Sequence, residues 1–445
     1  MASDLISIAK SGTQAARIAL DVTAQNIANA SSEGYVRRTV QMAEVSSSSG
    51  MRSVNDTSLS GVRISGVVRN ADAFRQSEVR RTGADAARGN AEVAGLENIE
   101  SAIEQSNVYA GIVQFEASLQ RLASDPVDAS LRAAVVEDAR TMTSQFNIAS
   151  SALDAAGTSL RFEATDGVEQ VNLLSSELAR VNLRLARAAD SSSDQTALLD
   201  QRDLLLQKLS DYVGITTTVG PDQMVEVRLG GASGPQLVSG GNAASLAMTT
   251  AGNGTVSFTL DGNAVTPASG SLAGKAQALD KLADVRGKLD VVATTLISTV
   301  NAAQANGVAL DGSAGQPMFS GTGAGTMALA LQNGSGIATA PAGSLAGSRE
   351  PGNLIAMRDA LASADPAGGM DALLFDISAT VAGRKVTRDA LVTIAGTAKI
   401  ALQSQAGVDL DNEAVNLIRY QQAFQASGRV MQVASDIFDT LLGIR

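Results

Sequence analysis

The feature that most constrains this chain is an apolar repeat at its C-terminal end. Residues 408–445 contain no proline, and Leu410, Leu417, Phe424, Met431 and Phe438 recur at intervals of seven. Further positions three residues on from the last four are Tyr420, Ser427, Ala434 and Leu441. A strict seven-residue repeat predicts a helix that buries one narrow seam against other helices. Such a helix needs a partner.

The N-terminal end supplies a matching helical pattern. Spacings of three and four residues connect Leu5, Ile8, Gly12, Ala15, Ala19, Val22 and Asn26. This pattern predicts an amphipathic helix whose small residues allow a neighbouring helix to approach closely. A polar run ending at Gly34 and Tyr35 ends the helix, because glycine readily adopts a positive φ. The two terminal helices are therefore expected to pair along one seam.

The chain between the two terminal helices is mostly helical in pattern. Residues 72–212 have a helical period with breaks at Asp125-Pro126 and before residue 193, and the period returns over 275–300, 353–362 and 370–405. Residues 214–273 alternate in polarity and contain paired glycines, which predicts short strands and turns. Residues 40–60 are serine-rich and predict a loop, 61–68 predict a strand, and 306–350 predict a hairpin.

These patterns predict a mainly α fold. We expect an elongated helical bundle with coiled-coil-like paired N- and C-terminal helices and a small β-rich insertion domain. The predicted domains are a terminal helical domain (1–60 with 406–445), a bundle domain (61–213 with 274–405, including the hairpin near 306–350) and the insertion (214–273).

Composition excludes several classes of function. The 445 residues have a formal net charge of −11, and the sequence contains no histidine, cysteine or tryptophan. The acidic balance argues against nucleic-acid binding, and the sequence has no apolar run long enough to cross a membrane. The first residues have neither a basic region nor an apolar core, so no cleavable signal peptide is expected. Without histidine or cysteine, no catalytic, cofactor-binding or metal site is expected.

Three charged clusters each allow two interpretations. Asp200-Gln201-Arg202-Asp203 predicts ion pairs, either within a helix or between subunits. The Asp409 and Asp411 carboxylates suit a helix cap better than a metal pair. The arginines between residues 69 and 88 are either a basic patch for an acidic partner or a solvated helix face paired with carboxylates.

Particular strings of residues resemble a known family. Gln25-Asn26-Ile27-Ala28-Asn29, followed by Gly34-Tyr35, is similar to the N-terminal signature of the flagellar rod, hook and hook-associated proteins, although Gln25 and residues 31–33 depart from it. The strings 198–203 and 237–240, together with the tail 408–427, resemble the hook-associated protein 1 family, which forms the first hook–filament junction. The family motif residues here are Asn26, Asn29, Gly34, Tyr35, Asp200, Gln201, Arg202 and Asp203.

The resemblance implies a structural protein of the bacterial flagellum, secreted unfolded through the type III export apparatus. It implies a ring of copies assembled through the terminal helices, with the seam formed by Leu5, Ile8, Ala15, Val22, Leu410, Leu417, Tyr420, Phe424, Met431, Phe438 and Leu441. The implied neighbours are the flagellar hook protein and the second hook–filament junction protein. A cytoplasmic export chaperone would bind the C-terminal helix, and the assembled protein would be extracellular, at the hook–filament junction.

Two alternatives stay open on the sequence. One is a flagellin-like filament subunit or another axial protein of the hook or rod, since these classes also use terminal coiled-coil helices. The other is an enzyme with its site in 214–273. That stretch contains no histidine, cysteine or lysine and only three acidic residues, Asp222, Glu226 and Asp261, which is a poor set for catalysis.

Overall fold

The computed structural model describes residues 2–32, 34–46, 59–190 and 192–443. In this part of the chain the long helices are α1 (Ala2–Ala28), α2 (Ala73–Ser106), α3 (Val108–Ser124), α4 (Ala129–Leu185), α5 (Ser193–Tyr212), α6 (Ser271–Ala305), α7 (Gly352–Ala364), α8 (Pro366–Ala406) and α9 (Leu410–Gly443). The predicted mainly α class is confirmed. None of the helices in these ranges is long and apolar enough to cross a membrane.

The strands are short and lie between the helices. They are β1 (Arg38–Ser46), β2 (Leu59–Arg69), β3 (Ile215–Val219), β4 (Val225–Leu229), β5 (Gln236–Ser239), β6 (Asn242–Ala243), β7 (Leu246–Thr250), β8 (Val256–Leu260), β9 (Asn263–Val265), β10 (Gly307–Val308), β11 (Phe319–Ser320), β12 (Ala328–Leu329) and β13 (Ala340–Pro341). All pairings between these strands are antiparallel.

Side-chain caps start several of the helices. The Asp409 Oδ1 atom accepts hydrogen bonds from the backbone N–H groups of Asp411 (3.0 Å) and Asn412 (3.2 Å) at the start of α9. Ser192 Oγ accepts one from Gln195 N (3.1 Å) at α5, and Asp128 Oδ1 accepts one from Leu131 N (2.8 Å) at α4. Free N–H groups of a first helical turn need such acceptors, so the predicted capping role of Asp409 is confirmed.

The chain divides into two compact units. The first comprises Met1–Ala84, Gln170–Ser245 and Val392–Arg445, and the second comprises Asp85–Glu169 and Leu246–Leu391. In the first unit α1 packs against α9 and against the β1–β2 ribbon, as the sequence predicted for the terminal helices. The second unit contains a large apolar core in which Phe115 and Phe319 meet edge to face with ring centroids 5.7 Å apart.

Segment 306–350 has little regular secondary structure, and side-chain amides form hydrogen bonds to its backbone. Asn301 donates through Nδ2 to Phe319 O (2.8 Å) and accepts through Oδ1 from Phe319 N (3.0 Å). Asn353 Nδ2 donates to Ala303 O (3.0 Å) and Ala338 O (2.7 Å). Buried backbone groups outside regular structure need partners of this kind. The predicted hairpin in this segment is the β11–β12 pair.

Arg132 of α4 fixes the same segment from within the second unit. It is 2% exposed, and Nη1 donates to Gly334 O and Ile337 O at 2.9 Å each. Nη2 donates to Thr339 Oγ1 (2.8 Å), and Nε donates to Pro126 O. Burial lowers the pKa of the Arg132 guanidinium from its usual value. Its packing therefore depends on these neutral acceptors.

Replacing Arg132 by Met is expected to destabilise the second unit by roughly 3 kcal/mol, since the acceptors around it stay buried and lose their donors. The measurement is urea unfolding followed by circular dichroism. Arg140→Met on the same helix is the control, because Arg140 is exposed and pairs only with Glu137 one turn away. Equal stability of the two variants would contradict this role.

One sequence-based expectation about loops and strands differs from the structure. Residues 40–46 were expected to form a loop, but they belong to β1. They form a strand because they pair with β2, with a bulge between Gln41 and Met42. The local composition does not reveal this partner. The rest of that predicted loop, 47–58, lies outside the described residues.

The strands of 214–273 form two sheets. One sheet has the strand order β3-β4-β5-β6, and the other has the order β7-β8-β9. The first sheet belongs to the first unit and the second sheet to the second unit. Asn182 of α4 ties the first sheet to its unit by hydrogen bonds to Val225 and to Gly240 O, all at 2.9 Å. Val256 of β8 packs against Leu160, Ala278 and Leu279. The single insertion domain and the other predicted domain boundaries stay a prediction.

Candidate assembly interface

The pairing of α1 and α9 rests on small side chains. A Cβ atom added at Gly12 would lie 2.9 Å from Ser427 Oγ, so glycine is needed for α9 to come this close. Along the same face of α1, Ala15, Ala19 and Val22 are buried, with 6% exposure or less. Small residues at a helix crossing allow short interaxial distances.

The two helices run antiparallel in a fixed register. Gly12 lies against Ser427, and Asn26 lies against Glu413. The two contacts are separated by the same number of residues on each helix (26 − 12 = 427 − 413). By this register Ala15 is level with Phe424, and Val22 is level with Leu417.

The predicted seam is only partly covered within the chain. Ala15 and Val22 are buried, and Ile8, Leu417, Tyr420 and Met431 are half-buried. The exposed seam residues are Leu5 (40%), Leu410 (53%), Phe424 (39%) and Phe438 (47%). The side chain of Leu441 lies outside those described. Contact between α1 and α9 covers part of the seam, and these four exposed residues are the part that stays uncovered.

A second apolar row on α9 was not predicted. Val415, Ile418, Val430, Val433 and Ile437 are each exposed by 41% or more, and we call them the outer stripe. At about 100° per residue, Val415 lies roughly 200° around the helix from Glu413, which faces α1. Among the described side chains of α9, only Glu413 and Ala434 are buried, at 1% each. Helix α9 therefore has apolar surface on two sides and a partner on one.

The start of α9 is attached by a polar junction, which consists of Asn26, Tyr35, Arg37, Arg38 and Glu413. Glu413 accepts from Arg37 Nε (2.7 Å) at Oε1 and from Asn26 Nδ2 (3.2 Å) at Oε2. Asn26 Oδ1 accepts from Tyr35 Oη (2.9 Å) and from Arg38 N (3.0 Å), and Asn26 Nδ2 also donates to Arg38 O (2.9 Å). One asparagine thus connects α1, the turn after it, β1 and α9.

The turn after α1 depends on Gly34 and Asn29. Gly34 has φ 77°, and an added Cβ would lie 3.4 Å from Leu204 Cβ on α5. Residues other than glycine rarely adopt this backbone conformation. Asn29 Nδ2 donates to Gln25 O (2.9 Å) in the last turn of α1. The turn places Tyr35 where its hydroxyl meets Asn26.

A cluster of two carboxylates and two arginines, the α5 cluster, lies next to the polar junction; it consists of Asp200, Asp203, Arg69 and Arg202. Arg69 donates from Nε to Asp200 (2.8 Å) and from Nη2 to Asp203 (2.8 Å). Arg202 Nη2 donates to Asp203 Oδ1 (2.8 Å), and Arg38 Nη2 donates to Asp200 Oδ2 (2.7 Å). Arg38 therefore links the cluster to the polar junction.

Charge in these two groups shifts two pKa values. Burial alone would raise the pKa of Asp203, but the charges and hydrogen bonds of Arg202 and Arg69 hold that pKa below its usual value. Burial raises the pKa of Tyr35, and the Asp200 and Glu413 carboxylates add to that effect against the opposing charge of Arg38. Asp203 is therefore ionised and Tyr35 is a neutral hydrogen-bond donor near neutral pH.

The depressed Asp203 pKa predicts acid sensitivity of the first unit. A carboxyl group whose folded-state pKa lies below its unfolded value of about 3.9 stabilises the fold above that value and stops doing so as pH falls through the folded pKa. We expect the free energy of unfolding to fall below about pH 4. Asp203→Asn should be less stable at pH 7 and should lose less stability on acidification. Parallel acid profiles for the two proteins would contradict this.

The described residues contain no group of three or more Asp, Glu, His or Cys side chains placed to hold a metal ion. A cleft of about 480 Å³ lies beside the α5 cluster, lined in part by Arg69, Gln76, Gln195 and Arg202. The arginines at its wall already donate to Asp200, Asp203 and Gln223 O. A further charged residue of the lining is Asp190, which is exposed and accepts a hydrogen bond from Gln195 Nε2 (3.3 Å).

Comparison with known proteins identifies the family. Residues 93–319, slightly more than half of the chain, match the model of the flagellar hook-associated protein FlgK helical domain. The chain belongs to the FlgK family of flagellar hook-associated proteins. Residues 6–35 match the flagella basal body rod protein model, and 402–444 match the flagellar basal body rod FlgEFG protein C-terminal model.

Individual relatives agree with the family assignment. The chain is 28% identical over 336 residues to flagellar hook-associated protein 1 of Salmonella typhimurium, covering 72% of this chain and 59% of that protein. It is 28% identical over 249 residues to the Escherichia coli protein of that name, covering 55% of this chain and 45% of the other. The chain thus spans roughly half of the length of these relatives.

A solved structure supports the fold. The structure of the flagellar hook junction protein FlgK from Burkholderia pseudomallei superposes with a TM-score of 0.66 at 15% identity. It covers 74% of this chain and 100% of that chain. At this identity the likeness concerns the fold alone, and it agrees with the predicted mainly α architecture.

The structure brings the family motif residues together around the start of α9. Asn26, Gly34 and Tyr35 build the polar junction and its turn, and Asp200, Arg202 and Asp203 build the α5 cluster. Gln201 lies at the edge, where Nε2 donates to Glu177 Oε1 (3.2 Å). The ion pair between Arg202 and Asp203 confirms the within-helix pairing expected from sequence. Asp200 and Asp203 also pair with Arg38 of β1 and Arg69 of β2, which joins α5 to these strands and was not expected.

The arginines between residues 69 and 88 do not form one surface in this FlgK-family chain. Arg69 is in β2 and pairs with the α5 carboxylates, whereas Arg75 pairs with Glu78 on α2 (3.6 Å). Arg80 is 8% exposed, donates to Thr217 Oγ1 (3.2 Å), and has a pKa lowered by burial. Arg69 and Arg75 pair with carboxylates, as one of the two interpretations expected. The expectation of a solvated position is wrong for Arg80, which is buried.

Glu413, Arg37 and Arg38 were not predicted as functional positions. The Arg37–Glu413 and Arg38–Asp200 pairs join residues 376 and 162 positions apart, so no local spacing links them. The available signal was that Glu413 occupies a seam position of α9, four residues before Leu417. A charged residue on an apolar face requires a buried partner.

Proposed function

We propose that this chain is a structural subunit of the bacterial flagellum that joins the hook to the filament. The observation that carries the proposal is the unpartnered apolar surface of α9. Eight large apolar side chains of this helix are each 39% or more exposed: Leu410, Val415, Ile418, Phe424, Val430, Val433, Ile437 and Phe438. Contiguous apolar surface of this size is typical of a protein interaction site.

The proposed occupant of this surface is a second copy of the chain. Copies would assemble as a ring, with the exposed seam residues and the outer stripe of α9 packing against terminal helices of neighbouring copies. The polar junction would hold α9 at a set position on each copy. If α9 has the same position in every copy, the outer stripes of neighbouring copies in the ring have equivalent surroundings.

The proposed neighbours along the axis are the flagellar hook protein on one side and the second hook–filament junction protein on the other. Before export, a cytoplasmic chaperone would cover the apolar surface of α9, which otherwise favours aggregation. The chain would leave the cell through the flagellar type III export apparatus and act outside it. This role is structural, and the proposal assigns no catalytic residue, cofactor or metal ion.

The test is deletion of the gene followed by complementation with this chain. Deleted cells should keep hooks, lack filaments and release filament subunits into the medium, and the chain should restore swimming. Deleted cells with normal filaments would refute the proposal. Loss of filaments with no released subunit would instead favour the flagellin-like alternative, since the missing protein would then be the filament material itself.

A further inference from the structure

The apolar contact between α1 and α9 defines little axial register by itself. On α1 it uses Ala9, Gly12, Ala15, Ala16 and Ala19, a nearly uniform row of small residues, followed by the larger Val22. Opposite Gly12 the α9 residue is Ser427, also small. Knobs and holes of distinct size normally fix the axial position of paired helices. A shift of one repeat that brings Ala434 opposite Gly12 keeps small side chains at the closest approach of the two helices.

One buried polar contact interrupts this uniform row. Glu413 and Asn26 are each 1% exposed, and the Glu413 carboxylate accepts from Asn26 Nδ2 and Arg37 Nε. On the described parts of α1 and α9, Thr23 is the other buried polar side chain. A buried carboxylate removed from its donors carries a large desolvation penalty.

The donors themselves are held in place. Arg37 N donates to Ala406 O (3.0 Å) at the end of α8, which fixes the residue next to the α8–α9 connection. Asn26 is oriented by Tyr35 Oη and by both backbone groups of Arg38. Glu413 therefore meets a preformed pair of donors at one position along α1.

We infer that Glu413 sets the axial register of α9 against α1 and acts as a positioning residue for the assembly surface. A shift of one seven-residue repeat keeps the apolar rows aligned but moves Glu413 about 10.5 Å from its donors. Single buried polar residues fix register in this way in paired helices. One consequence of this inference rests on the proposed function: Phe424 and the outer stripe would have the same axial position in every copy of an assembly.

The sequence offers a clean way to read the register, because it contains no cysteine. Cβ atoms at Gly12 and Ser427 would be 3.6 Å apart, within the range for a disulfide. Gly12→Cys with Ser427→Cys therefore reports the native register. Gly12→Cys with Tyr420→Cys, and Gly12→Cys with Ala434→Cys, report shifts of one repeat in either direction.

Each cysteine pair is oxidised in the purified chain with Glu413 intact, with Glu413→Leu and with Glu413→Gln, and the disulfide yield is read by gel mobility. With Glu413 intact, only the native pair should form. Glu413→Leu should raise at least one shifted pair about ten-fold or more, which corresponds to about 1.4 kcal/mol of lost register preference. Glu413→Gln keeps an oxygen acceptor for Asn26 and should give an intermediate shift.

Three outcomes would overturn the inference. One is an unchanged pattern in Glu413→Leu, which would leave register to the apolar row. Another is loss of all three disulfides in that variant, which would make Glu413 an attachment residue. The third is formation of shifted pairs with Glu413 intact. Because the readout lies within one chain, these outcomes are separate from any failure of ring assembly or of the proposed flagellar role.

Discussion

Replacing Phe424 by Asp is expected to abolish assembly of the chain while leaving the isolated chain folded. Phe424 lies in the middle of the α9 seam, level with Ala15, and is 39% exposed in the single chain. In an assembly the remaining surface would be buried against another copy. Losing a buried phenylalanine costs roughly 3 kcal/mol, and burying a carboxylate in its place adds several more.

This penalty recurs at every contact of a ring, so even one such loss per copy should prevent closure. At about 1.4 kcal/mol per factor of ten, each contact would weaken by roughly a hundred-fold or more. The measurements are circular dichroism and thermal melting of the purified chain, and electron microscopy of cells that carry the variant. We expect unchanged melting of the second unit, hooks without filaments, and filament subunits in the medium.

The matched control is Gln425→Asp, which introduces the same charge one residue further along α9. Gln425 is exposed and about 100° around the helix from Phe424, away from the seam. It lies one repeat after Ile418, at the edge of the outer stripe, but its replacement removes no apolar side chain, so this variant should lose much less assembly than Phe424→Asp. Normal filaments on cells with Phe424→Asp would mean that the seam is not an assembly surface, and equal failure of both variants would assign the effect to charge alone.

Replacing Asp203 by Ala is expected to destabilise the first unit by about 3–5 kcal/mol, the usual result of removing one partner from a buried ion pair. The side chains of Asp203 and Arg69 have 8% and 6% exposure, and Arg202 has 9%. Removal of the carboxylate leaves two arginines buried with fewer acceptors. Because the α5 cluster joins the β1–β2 ribbon to α5, the ribbon should detach first.

The measurements are urea unfolding and amide hydrogen exchange. Exchange should increase most in β1 and β2, while helices of the second unit keep their protection. Asp194→Ala, at an exposed position on the same helix, is the control and should change stability by less than about 0.5 kcal/mol. Asp203→Ala combined with Arg69→Met should cost less than the sum of the two single changes, since the pair acts as a unit. Strict additivity would show that Arg69 and Asp203 are energetically independent.

The helical elements could be read from sequence because their signals are local. Period and breakers such as Asp125-Pro126 placed most helices within a few residues of their observed bounds. The β1 strand could not be read, because a serine-rich run begins at its last residue and made the whole stretch look like a loop, and pairing with β2 makes it a strand. Strand pairing across a long loop depends on a partner that no local window contains.

The motif residues were found without their physical role. Asn26, Gly34 and Tyr35 were recognised by resemblance, yet their function in the fold is to hold Glu413 and Arg37 at the start of α9. Asp200 and Asp203 were expected to pair within a helix or between subunits, since those are the options visible in a linear string. Their partners on β1 and β2 come from distant parts of the chain.

The sequence by itself determined the mainly α class, the pairing of two terminal helices and membership of a flagellar axial family, because periodicity and short strings are properties of neighbouring residues. Only the tertiary structure decided which side of α9 is covered. Helix α1 has small residues and covers one side through Ala15, Val22 and the Asn26–Glu413 contact, so Phe424, Phe438 and the outer stripe stay exposed. A heptad repeat states that a helix has an apolar face, but the number and size of the partners present decide how much of that face is left for another molecule.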